Sequence, residues 1–179
     1  MLGKSKSFYR SGDGVAGLEF ALILPFMLLF YVGLIDLTGA LAVSRKVDYA
    51  ASVVADLVAQ HNATIATADV AAYRNAAILA MRPTPAAGRV QVYHVRATTV
   101  TPWGSTGGGA ACVAPTAASV STQMTDGNDV IVAVVCTTFT PIIPTFLGKT
   151  ILGMLTIRMS ETIAFRPRQS KLLACTGGC

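Results

Sequence analysis

The side chains able to do chemistry in this sequence are few. Four cysteines stand at Cys112, Cys136, Cys175 and Cys179, and two histidines at His61 and His94. A metal site wants Cys or His in paired short spacings, and the only short spacing is the C-x3-C of Cys175 and Cys179. His61 and His94 are single and far apart, which reads as surface or satisfied histidines, so no metal is assigned. A C-x3-C redox pair is the rival, but it lacks the C-x-x-C helix-start setting that lowers a thiol pKa. Four cysteines allow three disulfide pairings. The favoured one joins Cys112 to Cys136, tying a loose insertion to an apolar strand, and Cys175 to Cys179, closing a tail loop that Gly177 and Gly178 leave free to turn. Gly107-Gly108-Gly109 invites a phosphate-loop reading, yet no Lys-Ser/Thr follows and no strand–loop–helix frame surrounds it. After Glu19 the chain has a single further glutamate, Glu161. With no paired carboxylates on one face and no Ser-His-Asp arrangement, the expectation is a protein without catalytic residues and without a cofactor.

The elements that carry these residues are unusually apolar. Of 179 residues, 53% are hydrophobic, 13% charged and 7% aromatic. That length suits one modest domain plus an appendage. The composition argues against disorder and exceeds the apolar content of an ordinary soluble domain, so part of the chain sits in lipid or under partners. The net charge is +5, with Lys4, Lys6 and Arg10 ahead of the long apolar run and Asp13 the only acid there. Setting aside residues 1–14 removes three bases and one acid and leaves +3. The basicity therefore belongs to a membrane-proximal leader. Lys/Arg clusters interleaved with aromatics are absent, so no nucleic-acid partner is expected.

Val15 to Ile35 is a run of 21 residues with one charge, Glu19. At 1.5 Å per residue it spans roughly 31 Å, enough to cross a hydrocarbon core. The basic leader puts the N-terminus in the cytoplasm by the positive-inside rule. The run is too long for a secretory signal and no clean A-x-A site follows it, so on hydropathy alone it reads as a signal anchor. Glu19 is out of place there, because a charge in a spanning helix costs about 2.5–3.5 kcal/mol at its centre and less near an edge. It lies five residues after Gly14, in Gly14-Val15-Ala16-Gly17-Leu18-Glu19-Phe20. Pro25, inside the run, removes one helix hydrogen bond and clashes with the carbonyl of Ala21, so a kink is expected. It is either a harmless spanning proline or a bend that fits the segment into a filament.

The Gly14–Phe20 stretch resembles the processing site of type IV prepilins, in which a peptidase cuts after the glycine on the cytoplasmic side. There the glutamate at position five is thought to pair with the new amine of a neighbouring subunit, each charge offsetting the other's cost in lipid. Glu19-Phe20-Ala21-Leu22, Leu24-Pro25 and Gly33-Leu34-Ile35-Asp36 are similar to the TadE-like pseudopilins of the tight-adherence (Flp) pilus system. A looser match follows in Val130–Cys136, Thr140-Pro141-Ile142-Ile143-Pro144, Leu155–Ile163 and Arg166-Pro167-Arg168. The resemblance implies a minor pilin of a bacterial inner membrane that helps initiate or cap a pilus, with adhesion and biofilm formation as output. Its partners would be a prepilin peptidase, other pilins and pseudopilins, the inner-membrane assembly platform and the lipid bilayer. Residues 1–14 would be a cleaved cytoplasmic leader, 15–43 the transmembrane helix and 44–179 a periplasmic domain with a flexible insertion at 101–128. The alternatives are an uncut, signal-anchored periplasmic binding module, a thiol-active periplasmic protein, and a pseudopilin of a related type II secretion system.

Beyond Ile35 the pattern turns amphipathic. Val43, Val47, Ala50, Val54 and Leu57 make a helical stripe, so one helix is expected from Val15 to about Gln60, roughly 69 Å long. A second helix is expected from Thr67 to Met81, with Thr67 as its cap, Val70, Tyr73 and Ala77 on one face, Asp69 in the first turn and Pro83 and Pro85 ending it. Arg89–Thr99 reads as a strand. Residues 101–128, poor in large apolar groups and carrying Asp126-Gly127-Asn128, read as loop. Val130–Val135 reads as a central strand covered on both faces. Leu155, Ile157, Met159, Ile163 and Phe165 alternate with polar residues as a half-buried strand, where Glu161 on the apolar side calls for a bulge or a nearby base. The expected class is α+β, a long stalk helix and a second helix on an antiparallel sheet of three to four strands. In the loop after the central strand, Ile142, Ile143 and Phe146 either plug the core or touch a partner subunit or the bilayer interface.

Overall fold

The structure, a computed structural model, describes residues 13–61, 64–82, 88–109, 111–120, 129–142, 156–168, 173–177 and 179. The leader bases Lys4, Lys6 and Arg10, the prolines Pro83 and Pro85, the turn at 126–128, the loop residues Ile143 and Phe146, and Leu155 lie outside them.

The first element is a helix, α1 (Asp13–Ala59), of 47 residues with Pro25 inside it, about 70 Å long. Its two halves have different surroundings. From Val15 to Ile35 the apolar side chains are exposed except the half-buried Val32, and the most apolar stretch has none of its residues buried. From Val43 onward Val47, Ala50 and Val54 are buried as the stripe requires. The buried seam also takes in Ala51, Ala55 and Val58, which leaves Leu57 half-buried at its edge.

The seam packs on a four-stranded antiparallel sheet, β3-β2-β4-β5. These strands are β2 (Arg89–Arg96), β3 (Thr99–Gly107), β4 (Val130–Phe139) and β5 (Ile157–Phe165). The fold is α+β, as the periodicities indicate. β4 sits between β2 and β5 and is covered on both sides. Ile131, Ala133 and Val135 face the helices, whereas Val130, Val132 and Val134 join Tyr93, Val95 and Val120 on the outer face. That double burial is why its sequence is a continuous apolar run rather than an alternation.

Three local expectations differ from the structure. The first concerns α2 (Thr67–Ala80), which follows directly on a short strand, β1 (Thr64–Ala66). Ala66 holds the cap position with no side-chain cap bond. Thr67 is already helical, and its hydroxyl donates instead to the Thr176 carbonyl, 3.1 Å away. Val70 and Ala77 of α2 are buried, with Tyr73 packed beside them.

The second difference lies at 97–107. The Arg89–Thr99 strand ends at Arg96, the chain turns at Ala97-Thr98, and it returns along β2 as β3. Only Trp103 of β3 is deeply buried, so an edge strand with one inward anchor resembles a loop in composition. Ala97 makes the turn with φ of 50°, a left-handed conformation that costs an L-residue roughly 1–2 kcal/mol. Ala97→Gly is expected to stabilise the domain by about 0.5–1 kcal/mol, the gain being reduced by glycine's freedom in the unfolded chain; thermal unfolding in detergent measures it.

The third difference is at Glu161. The β4–β5 register runs without a shift from Ile131↔Phe165 to Phe139↔Ile157, so there is no bulge. Glu161 pairs with Val135 and lines a hollow with Ser44, Asp48 and Arg158. It makes no ion pair among the described residues. An edge strand can place a carboxylate on its inner face because water reaches it from the side.

Part of the insertion covers the outer face of the sheet. Val120, at the end of the short helix α3 (Ala117–Val120), is 4% exposed and seats on the outer cluster with Cys112. Cys112 is bonded to Cys136 of β4, with Cα atoms 5.6 Å apart and 24 residues of separation. Closing a loop of this size removes about 3 kcal/mol of unfolded-state freedom. The double variant Cys112→Ser/Cys136→Ser is expected to lose about that much in urea unfolding.

The chain ends in an unforeseen element, β6 (Ala174–Thr176), which pairs in parallel with β1. Leu173, just before it, is wholly buried. Cys175 is bonded to Cys179 with Cα atoms 5.9 Å apart. Upstream of β6, Arg168 caps α1, a helix with no basic residue of its own in the last turn. Its backbone N–H donates to Ala59 O at 2.9 Å and its guanidinium to Asp56 Oδ1 at 2.5 Å, where positive charge meets the helix dipole favourably.

Candidate functional site

The residues singled out for processing and assembly lie along one side-on feature, the free half of α1. Gly14 is in its first turn, Val15 is 59% exposed, and Glu19 and Phe20 (62%) are exposed on the following turn. Among the described residues, Glu19 makes no side-chain hydrogen bond or ion pair. Pro25 sits between Leu24 and Phe26, both exposed.

Where the helix meets the domain, the contacts are specific. Asp36 is 8% exposed, the first buried residue along α1, and its Oδ1 accepts the backbone N–H of Ile142 at 2.7 Å. One turn on, Gly39 faces Phe139; a Cβ there would lie 3.4 Å from the ring. The chain after β4 thus climbs α1 toward its exposed half. Ile142 at its end is 51% exposed. Its neighbours in the sequence reading, Ile143 and Phe146, lie outside the described residues.

The domain itself is held by a polar cluster that sequence reasoning did not find. Asp129, fully buried, accepts two hydrogen bonds from Arg96, at 2.7 and 2.9 Å, and a third from the backbone N–H of Leu173 at 2.6 Å. His94 Nε2 lies 2.9 Å from Asp129 Oδ2. Burial alone pushes the Asp129 carboxyl up, but the bonds from Arg96, Leu173 and His94 outweigh it and hold it below the usual carboxylate range. The His94 ring stacks on Trp103 at 4.9 Å. On α2, Arg74 is 7% exposed and donates to the Trp103 carbonyl at 2.6 Å, covering part of the free edge of β3. Its guanidinium lies against Gly104, where any Cβ would collide and where φ is +90°. Burial pushes the Arg74 pKa down.

This cluster joins β2, β3, the start of β4 and the C-terminal segment, with Asp129 enclosed and Arg96 reaching the surface. Its one sequence signal was an acid set directly against an apolar run. His61 is elsewhere, with Nε2 2.9 Å from the Tyr73 hydroxyl. Among the described residues no group of three or more His, Cys, Asp or Glu could hold a metal ion.

The helix α1 is apolar and largely exposed over one half, seated on a small α+β domain over the other, and long and apolar enough to cross a membrane. Residues 14–56, nearly all of α1, match the family model described as TadE-like protein. The matched stretch is 43 of the 179 residues and covers the helix rather than the domain. No curated protein and no solved structure matches the chain.

Proposed function

We propose that this protein is a pseudopilin, or minor pilin, that takes part in initiating or capping a Flp-type tight-adherence pilus. The observation that carries the reading is the exposed first half of α1. It begins at Gly14-Val15, carries a single exposed carboxylate at Glu19, and falls within the TadE-like match. In this reading a prepilin peptidase cuts between Gly14 and Val15, removing residues 1–14. Residues 15–43 anchor the chain in the bacterial inner membrane, and 44–179 form the periplasmic domain. Its disulfides, Cys112–Cys136 and Cys175–Cys179, suit that oxidising compartment. Glu19 pairs in lipid with the Val15 amine of a neighbouring subunit, Phe20 packs beside it, and Pro25 bends the span to fit the filament. The partners are other pilins and pseudopilins and the inner-membrane assembly platform.

The test is the N-terminus and intact mass of the protein from its native membrane, with and without the prepilin peptidase. A peptidase-dependent start at Val15 supports the proposal. Retention of Met1 in both strains overturns it and makes the chain an uncut, signal-anchored module.

A further inference from the structure

The turn after β4 lies at the depth where α1 would leave the hydrocarbon. Counting from Val15, 21 residues of α1 precede Asp36, about 31 Å of helix against a hydrocarbon core of about 30 Å. Asp36 is the first buried residue among the described residues of α1, and it holds the backbone at Ile142, just after Pro141.

Backbone at the edge of the hydrocarbon is stable only if its polar groups have partners. Here the two amide positions at this depth are accounted for. Pro141 has no N–H to satisfy. The Ile142 N–H is taken by Asp36 Oδ1 at 2.7 Å. That bond also occupies a carboxylate that would be costly if bare at this depth. The Ile142 side chain, 51% exposed, is left on the same apolar rim as Leu34 (44%), Ile35 (41%) and Leu37 (56%) of α1. Nine residues past Asp36, Arg45 is exposed where a basic side chain meets lipid headgroups.

We propose that Ile142 is a second membrane contact, seated in the bilayer interface beside α1, and that the Asp36–Ile142 bond fixes the height at which the domain stands on the membrane. The inference rests on the membrane-anchored reading of α1. Its surface is continuous with the apolar face of that helix, which is why its occupant is lipid and not another protein.

Three single variants of the full chain test it: Ile142→Trp, Phe26→Trp within the span, and Val113→Trp on the insertion, where the side chain is 78% exposed. Trp103, 4% exposed, is a constant background. Each protein is reconstituted in phosphatidylethanolamine–phosphatidylglycerol vesicles whose acyl chains are brominated either near the headgroup or near the bilayer centre. The added emission of Ile142→Trp is expected to be lost to headgroup-proximal bromine, and that of Phe26→Trp to bromine as well. Val113→Trp should keep its emission, which controls for tryptophan's own affinity for interfaces. If Phe26→Trp is quenched while Ile142→Trp matches Val113→Trp, the inference fails and the anchor stands. A blue-shifted but unquenched Ile142→Trp places another protein surface there and also overturns it. An unquenched Phe26→Trp removes the anchored reading itself, and the inference with it.

Discussion

Asp129→Ala is expected to cost the domain about 3–5 kcal/mol, the penalty for leaving one side of a buried ionic cluster without its partner. For a domain of this size that is a fall in Tm on the order of 10 °C. Four groups converge on this carboxylate: two guanidinium nitrogens of Arg96, the Leu173 amide and the His94 ring. The outer half of Arg96 is solvated, its side chain being 48% exposed, so the effect comes mainly from what is enclosed, His94 and the Leu173 amide. Because the Leu173 bond is the inward tether of β6, the variant should also expose residues 173–179 to carboxypeptidase, a readout that a general loss of packing elsewhere would not produce first. Asp129→Asn keeps the shape and loses the charge, and should lie between the two. The same cluster sets an acid limit. The folded carboxyl titrates below its unfolded value, which is about 3.9. Its contribution is therefore complete above that value and is lost as the pH falls through the lower, folded one. Unfolding followed from neutral pH down to the acid range should steepen below about pH 4 in the parent chain and not in Asp129→Asn. A parallel fall in both would mean that other carboxylates set the acid limit.

Glu19→Ala is expected to leave processing intact and to remove the protein from assembled pili. On the proposed reading the Glu19 carboxylate meets a neighbouring Val15 amine in lipid, and deleting one partner of such a pair costs about 3–5 kcal/mol. That is roughly two to four orders of magnitude in an assembly equilibrium. The readouts are the mass of the membrane-bound protein, which should still begin at Val15, and its amount in sheared pili relative to the membrane pool. Glu19→Asp, with the charge kept on a shorter arm, should restore part of the loss. Unchanged incorporation of Glu19→Ala would sink the pairing role.

Much of this architecture could be read from the order of residues alone. The long apolar run, the Val/Ala stripe that follows it, the α2 pattern and the β4 run each record locally which face is buried, and burial period is a local property of helices and strands. The stretch around Gly14, Glu19 and Pro25 falls within the TadE-like match, and its pattern too is one of spacing along a single helix. Composition misled at β3, because an edge strand needs only one inward anchor, and at Thr67, whose hydroxyl is claimed by a carbonyl 109 residues away.

What tertiary structure alone decided is the set of partners joined across such distances. Register places Val95 opposite Val130, and so brings Arg96 to Asp129 one step further on. Parallel pairing of β6 with β1 brings Leu173 to the same carboxylate. Asp36 finds its partner 106 residues along the chain. A hydrophobic period fixes which side of an element is inward, but many registers satisfy that period. The selection among them is made by loop closure and by the requirement that every buried polar group be paired. These conditions exist only once the elements have been brought together.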